Sequence, residues 1–169
     1  VKGVRFATRG VGVKYSDRTD LMVADLADGT NVAGVFTQSL TASAPVDACR
    51  EALANGHGKA KCIIVNSGNA NAFNGKKGIA SVENIVAEST KIFDCSKNEI
   101  FTASTGVIGE ALPDEKITND GSSSSTFFFS AGPDVIIFSC IEYAFPVNFA
   151  WHFLQFQIPT ATLLTCSFP

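Results

Sequence analysis

The sequence is poor in the residues from which metal centres and disulfide frameworks are built. Its 169 residues contain two histidines, His57 and His152, and five cysteines that are scattered without a Cys-x-x-Cys pair. Recognised zinc sites need four ligands in closely spaced pairs, so we expect no metal site. An odd number of scattered cysteines favours reduced thiols in a cytosol-like compartment over disulfide bonds.

The sequence also lacks a strong excess of charge and a targeting signal. The net charge of −3 gives no electrostatic reason to expect nucleic acid or an acidic membrane surface as a partner. The N-terminal residues 1-VKGVRFATRG-10 contain no apolar core of a secretory signal. Because 46% of the residues are hydrophobic, the chain can bury one sizeable core, which predicts a single domain or part of a larger one.

Basic residues are absent from the last part of the chain. All 13 Lys and Arg lie between Lys2 and Lys116, whereas nine of the 14 phenylalanines lie in residues 121–169. A segment of a folded core still needs charged residues on its wet face. The join is marked by the low-complexity run 121-GSSSSTFFFS-130. We therefore predict a partial α/β domain at 1–120 and an aberrant hydrophobic tail at 121–169.

Three interpretations of the tail compete. A membrane anchor is disfavoured because Glu142, Pro146 and Asn148 interrupt the apolar stretch and no Lys or Arg flanks it. A buried second half of the domain is disfavoured because clean helical or strand periodicity is lacking. We favour the third interpretation, a frameshift or a retained intron, since Phe, Ser, Leu, Ile and Cys share uridine-rich codons. The tail is then expected to be irregular or poorly packed and to have no function.

Residues 1–120 have the alternating pattern of an α/β protein, with helices packed on a layered sheet. The predicted strands cover 21–26, 32–36, 62–66 and 100–104, and the predicted helices cover 46–54 and 78–93. The first two strands are separated by the turn sequence 28-DG-29, which predicts a hairpin-like pair. Cys49 and Cys62 fall on apolar faces and are expected to be small core residues, and His57 is expected to be an exposed loop residue.

The segment 66-NSGNANAFNGKKG-78 superficially suggests a phosphate-binding loop. That motif needs a glycine where Ala70 stands and a serine or threonine where Lys77 stands. A strand-to-helix turn, in which Asn and Gly accept a left-handed backbone, is the favoured interpretation. A nucleotide-binding domain is kept as a weaker functional alternative.

The segment 104-STGVIG-109 follows the apolar residues of a predicted strand. A hydroxyl followed by glycine at a strand end can direct a side-chain O–H and an unhindered backbone N–H to one point. Acyl transfer needs such donors, because the carbonyl oxygen becomes an anion in the tetrahedral intermediate. The residues also fit a Ser/Thr turn that caps the next segment, and composition alone favours this turn. The local pattern leaves both interpretations open.

Several segments together resemble one family. They are 19-TDLMVADL-26, 33-AGVFTQ-38, 42-ASAPVDACREAL-53, 64-IVNSGNANAFNGKKG-78 and 101-FTASTGVIGEALPDEKI-117. In this order, over about residues 1–117, they are similar to the N-terminal part of the α chain in the bifunctional ornithine acetyltransferase and glutamate N-acetyltransferase family. The segments around NSGNANA and STGVIGE are the most specific parts of the resemblance.

The resemblance implies an acyltransferase of arginine biosynthesis that cuts itself into α and β chains, which assemble as a hetero-oligomer. The threonine exposed by the cut is the nucleophile, and its amine acts as the base. It accepts acetyl from N2-acetyl-L-ornithine, or from acetyl-CoA as co-substrate in many members, and passes it to L-glutamate; no other cofactor is implied. Thr105 and Gly106 would supply the side-chain and backbone donors of the oxyanion hole. The location would be cytoplasmic, or mitochondrial or chloroplast in a eukaryote.

One family motif is missing from the sequence. The self-cleavage junction, an Ala–Thr pair followed by a Thr/Asp-rich run and Phe–Pro–Lys, is not found in these 169 residues. We therefore expect this chain alone to be inactive. The alternative function is a non-catalytic fragment or pseudogene product.

Overall fold

The computed structural model describes residues 3–121 and 135–140. Within them, six strands and three α-helices follow one another along the chain. They are β1 (Val4–Arg9), β2 (Leu21–Leu26), β3 (Asn31–Phe36), α1 (Ala44–Asn55), β4 (Cys62–Asn69), α2 (Gly75–Phe93), β5 (Ile100–Val107), α3 (Asp114–Gly121) and β6 (Val135–Cys140), with a 3₁₀ turn at Lys97–Glu99. The predicted α/β class is confirmed, and α1, α2, β4 and β5 each contain the segment predicted for them.

Four strands form one sheet in the order β1-β2-β4-β5, and β3 pairs in parallel with β6. The β1–β2 and β2–β4 pairs are antiparallel, whereas β4 and β5 are parallel. The predicted hairpin between 21–26 and 32–36 is therefore wrong. Both edges of β2 are already occupied by β1 and β4, so β2 has no free edge for β3 to pair with.

Two apolar clusters cover the sheet, because side chains alternate between its faces along β4. Ile63 packs in a cluster with Cys49 and Ala52 of α1, while Cys62 and Ile64 pack in the other cluster with Ile85 of α2. Helix α1 begins with a proline in its first turn, the position where the missing N–H costs nothing. The helices thus enclose a core whose central strand is β4.

The Cys49 thiol lies against the outer edge of β5. Its sulfur is 3.1 Å from the carbonyl oxygen of Thr102 and 3.3 Å from the Thr102 nitrogen. Cys49 and Cys62 are buried and His57 is exposed, as predicted. Cysteine here acts as a small core residue that also bonds a strand edge.

The tail from 121 to 169, predicted to be irregular or poorly packed, lies outside the described residues except for Gly121 and β6. The division at residue 120 therefore stays a prediction. Among residues 3–121 and 135–140, no helix is both long enough and apolar enough to cross a membrane.

Candidate functional site

Thr105 and Gly106 lie at the carboxyl end of strand β5, as predicted. They pair with Ser67 and Gly68 of β4, and both are exposed. Because β4 and β5 are parallel, their carboxyl ends meet at one edge of the sheet, which is the usual place for ligands in α/β proteins. The Thr105 hydroxyl makes no hydrogen bond to the described part of the chain. The predicted location is confirmed, and the oxyanion role stays a prediction.

Only glycine fits at position 106. Its φ is +135°, and a Cβ built there would lie 2.3 Å from the Gly68 carbonyl carbon and 2.5 Å from the Asn69 nitrogen. Such distances are far inside van der Waals contact, and the atoms involved are backbone. The two strand ends therefore approach each other more closely than any side chain would allow.

A β-bulge in β4 lies beside this close approach. The register between β4 and β5 shifts at Gly68 and Asn69. Bulges of this kind redirect a strand and are frequent beside active sites. Beyond the bulge, hydrogen bonds still join the two neighbouring segments. Ala70 N–H donates to Val107 O at 2.9 Å, and Gly109 N–H donates to Ala72 O at 2.9 Å.

Buried asparagine side chains connect the bulge to the segment around Thr105. The Ser104 hydroxyl donates to Asn66 Oδ1 at 2.6 Å, and Asn66 Nδ2 donates to Asn69 O at 3.0 Å. Asn69 Nδ2 lies 3.1 Å from Glu110 O and 3.3 Å from Ala111 O. Asn66 and Asn69 are each 3% exposed. Sequence reasoning placed Asn66 at the end of a strand and Asn69 in the turn that follows, and it missed these contacts.

The rest of 66-NSGNANAFNGKKG-78 is the strand-to-helix turn that was predicted. Asn71 and Phe73 both have positive φ, and Asn71 Nδ2 donates to Gly78 O of α2 at 2.9 Å. Asn74 Nδ2 donates to Glu110 O at 2.7 Å. The asparagines thus satisfy the backbone of an irregular segment, the role favoured over a phosphate loop.

A loop before β2 also lies beside the bulge, and no sequence pattern predicted this position. The buried carboxylate of Asp20 accepts the N–H groups of Val11 at 2.7 Å and Val13 at 2.6 Å. These two hydrogen bonds fix the loop so that Lys14 lies beside the bulge. A Cβ built on Gly68 would lie 2.9 Å from the Cβ of Lys14. Lys14 Nζ also pairs with Glu110 Oε2 at 2.5 Å.

A second group of charges lies at the opposite end of the sheet. Asp25 pairs with Arg5 and, at 3.4 Å, with Lys61, which also bonds Asp28 at 2.7 Å. Burial lowers the pKa of Lys61, but the hydrogen bond to Asp28 and the charges of Asp25 and Asp28 outweigh burial and raise this pKa overall. The bond and charge of Lys61 lower the pKa of Asp28. Asp25 lies beside the first residue of β4, whereas Thr105 lies beside Ser67 near the other end of that strand. We therefore assign this charge network a role in stability.

The thiols of Cys62 and Cys95 are poor nucleophiles. Burial, with a smaller contribution from the Asp25 charge, raises the pKa of Cys62 well above its ordinary value. Burial also raises the pKa of Cys95 to about 11, helped by the charge of Glu99. Since the thiolate is the reactive form, neither cysteine is suited to attack a carbonyl. Within the described residues, no group of His, Cys, Asp and Glu could hold a metal ion.

Within residues 3–121, the arrangement offers hydrogen-bond donors at the strand end and brings no cysteine or histidine beside them. Thr105 and Gly106 present a hydroxyl and a glycine at an accessible strand end, as an oxyanion site requires. His57 follows α1 and precedes the first residue of β4, at the end of β4 away from Thr105. It therefore does not serve as a base for this site.

Comparisons with known proteins match this part of the chain. The model of the ArgJ family matches residues 5–127. The arginine biosynthesis bifunctional protein ArgJ of Bartonella henselae is 50% identical over 119 residues, and that of Mesorhizobium japonicum is 51% identical over 119 residues. Each alignment covers 70% of this chain and 28% of the relative. The chain therefore spans little more than a quarter of the length of these curated relatives.

Two solved structures are similar in fold. The arginine biosynthesis bifunctional protein ArgJ of Bacillus halodurans has a TM-score of 0.68 and 34% identity, over 72% of this chain and 63% of that one. The ornithine acetyltransferase of Mycobacterium tuberculosis, solved with ornithine, has a TM-score of 0.62 and 31% identity, over 71% of this chain and 64% of that one.

Proposed function

This chain belongs to the ArgJ family, and from that premise we propose that it supplies the oxyanion-stabilising part of an acetyltransferase. In the whole protein, acetyl would pass from N2-acetyl-L-ornithine to L-glutamate in arginine biosynthesis. The carrying observation is the exposed Thr105–Gly106 pair at the carboxyl end of β5, in a close approach that only glycine permits.

The proposed chemistry assigns one role to each member of the pair. A threonine nucleophile attacks the acetyl carbonyl, its proton goes to a base, and the carbonyl oxygen becomes an anion. The Thr105 hydroxyl and the Gly106 N–H donate to that oxygen. The base then gives its proton to the ornithine nitrogen as the C–N bond breaks, which leaves the acetyl group as an ester on the threonine. The amine of glutamate attacks this ester and loses a proton to the base, and the C–O bond to threonine breaks to release N-acetylglutamate. Acetyl-CoA would enter as an alternative donor at the first step.

The nucleophile is proposed to come from outside these 169 residues. The family motif that exposes it is missing here, so the chain alone is expected to give no turnover. An oxyanion site without an attacking group accelerates acyl transfer very little compared with the complete set. In the whole protein, α and β chains would assemble around the site as a hetero-oligomer in the cytoplasm or in an organelle.

The alternative is a non-catalytic product that keeps the fold of the family. The two proposals differ in whether residues around Thr105 still support catalysis when the missing parts are supplied.

A chimera tests this difference. The matching segment of the Bartonella henselae relative is replaced by the corresponding residues of this chain, and acetyl transfer from N-acetylornithine to glutamate is measured. We expect activity, and we expect Thr105→Ala to lower kcat by about 10²–10³-fold. The control is Thr8→Ala, which removes an exposed threonine hydroxyl from β1 and should leave kcat unchanged.

Three outcomes would count against parts of the proposal. A folded chimera without activity would favour the non-catalytic alternative. An active chimera that tolerates Thr105→Ala would remove the oxyanion role. Measurable turnover by the unmodified 169-residue chain would show instead that it contains a nucleophile of its own.

A further inference from the structure

The side-chain amides of two asparagines bond to the two ends of the segment that contains Thr105 and Gly106. Asn66 accepts the hydroxyl of Ser104, the residue just before Thr105, at 2.6 Å. Asn69 donates to the carbonyl oxygens of Glu110 and Ala111 at 3.1 and 3.3 Å, where the segment ends. The two asparagines are joined to each other by Asn66 Nδ2 and Asn69 O at 3.0 Å.

The side-chain amides of Asn66 and Asn69 lie in the protein interior. Asn66 and Asn69 are each 3% exposed, so water cannot replace a lost partner. The side-chain oxygen of Asn69 also has a hydrogen-bond partner, since it accepts the Asn71 N–H at 2.7 Å. A buried polar network in which every member is satisfied fixes one conformation, whereas a partly satisfied one does not.

The segment needs such restraint because its backbone is unusual. Gly106 has a φ of +135° and contacts Gly68 closely, and the neighbouring register is shifted by the bulge. Regular strand pairing alone therefore does not determine where the Thr105 hydroxyl and the Gly106 N–H point. A donor displaced by a fraction of an ångström stabilises an oxyanion less well.

We propose that Asn66 and Asn69 are positioning residues that act through Ser104 and the Glu110–Ala111 carbonyls to fix the Thr105–Gly106 donors. The value of this positioning for acetyl transfer rests on the proposed function. The positioning itself is a property of the folded chain and can be measured without any catalysis.

The test compares two isosteric substitutions in the full chain. Asn69→Asp keeps the size and the oxygen that accepts from Asn71, but turns the donor towards Glu110 and Ala111 into an acceptor. The matched control, Thr30→Val, removes a similarly buried donor, the hydroxyl that bonds Ala27 O at 2.6 Å between β2 and β3. Backbone amide signals and hydrogen exchange are followed by NMR, and global stability is followed by urea unfolding.

The amides of Ala70 and Gly109 are the exchange reporters, because they bond across the site to Val107 O and Ala72 O. For Asn69→Asp, we expect exchange at these amides to accelerate by about tenfold or more beyond the global change. We also expect the amide signals of Thr105 and Gly106 to shift. For Thr30→Val, we expect a loss of global stability without these local changes.

Equal effects of the two substitutions at Ala70, Gly109, Thr105 and Gly106 would overturn the proposal, since a purely structural role predicts them. If Asn69→Asp does not fold, Ser104→Ala replaces it, because that change removes one hydroxyl from a half-buried residue. It should accelerate Ala70 exchange by about fivefold and shift the Thr105 signal, and unchanged spectra would equally overturn the proposal. An inactive chimera, together with the expected exchange changes in Asn69→Asp, would count against the proposed function alone.

Discussion

Replacing Gly106 by alanine tests the close approach of β4 and β5 directly. The added Cβ would meet the Gly68 carbonyl carbon at 2.3 Å, the Asn69 nitrogen at 2.5 Å and the Gly68 oxygen at 2.6 Å. All three are backbone atoms, so no side chain can rotate away to make room. The strand ends must separate, and the bonds that join them beyond the bulge must lengthen.

The expected loss of stability has two parts. Overpacking typically costs about 1–3 kcal/mol, and a residue with a side chain held at a sparsely populated φ costs a further ~1–3 kcal/mol. Because the clash is with backbone on every side, we expect about 3–5 kcal/mol in total. This is a large part of the roughly 5–15 kcal/mol that stabilises an ordinary domain.

Gly109→Ala is the matched control. Gly109 also has a positive φ, +79°, but a Cβ built there meets nothing within 4 Å. It should therefore cost only the backbone term, about 1–2 kcal/mol. The assay is urea unfolding of both variants and the unmodified chain, followed by far-UV circular dichroism. Similar losses for Gly106→Ala and Gly109→Ala would refute the reasoning, because the close approach would then have no energetic consequence.

Two further predictions concern the loop before β2 and the buried thiols. Asp20→Asn should lower the free energy of unfolding by about 1–3 kcal/mol, because the new amide group would face the N–H group of Val11 or Val13. The control Asp17→Asn changes an exposed residue and should alter this free energy little. Equal urea midpoints for the two variants would contradict the prediction. Stability should fall as pH rises above about 9, the ordinary thiol pKa, because the unfolded Cys62 thiol then loses a proton that the folded one keeps. Urea unfolding at pH 8 and pH 10 should show a smaller alkaline loss for Cys62→Ala than for the unmodified chain, and parallel losses would show that Cys62 does not contribute.

Elements with strong local periodicity were predictable from the sequence. The spacing of apolar residues along α2 and the continuous apolar run in β4 each indicate their structure within a short window. The partnership of β2 was not predictable in this way. A turn signal at 28-DG-29 reports a local change of direction, but pairing depends on which strands compete for an edge, and β1 and β4 occupy both edges of β2.

For the site, the sequence by itself determined the residue types and their position at a strand end, because 104-STGVIG-109 directly follows a β pattern. Only the tertiary structure decided what surrounds them. Ser104 meets Asn66 across 38 residues of sequence, and Lys14 pairs with Glu110 across 96. Such contacts depend on the register of β4 against β5 and on the bulge at Gly68 and Asn69. No local pattern records them, because register follows from how the whole sheet packs against α1 and α2.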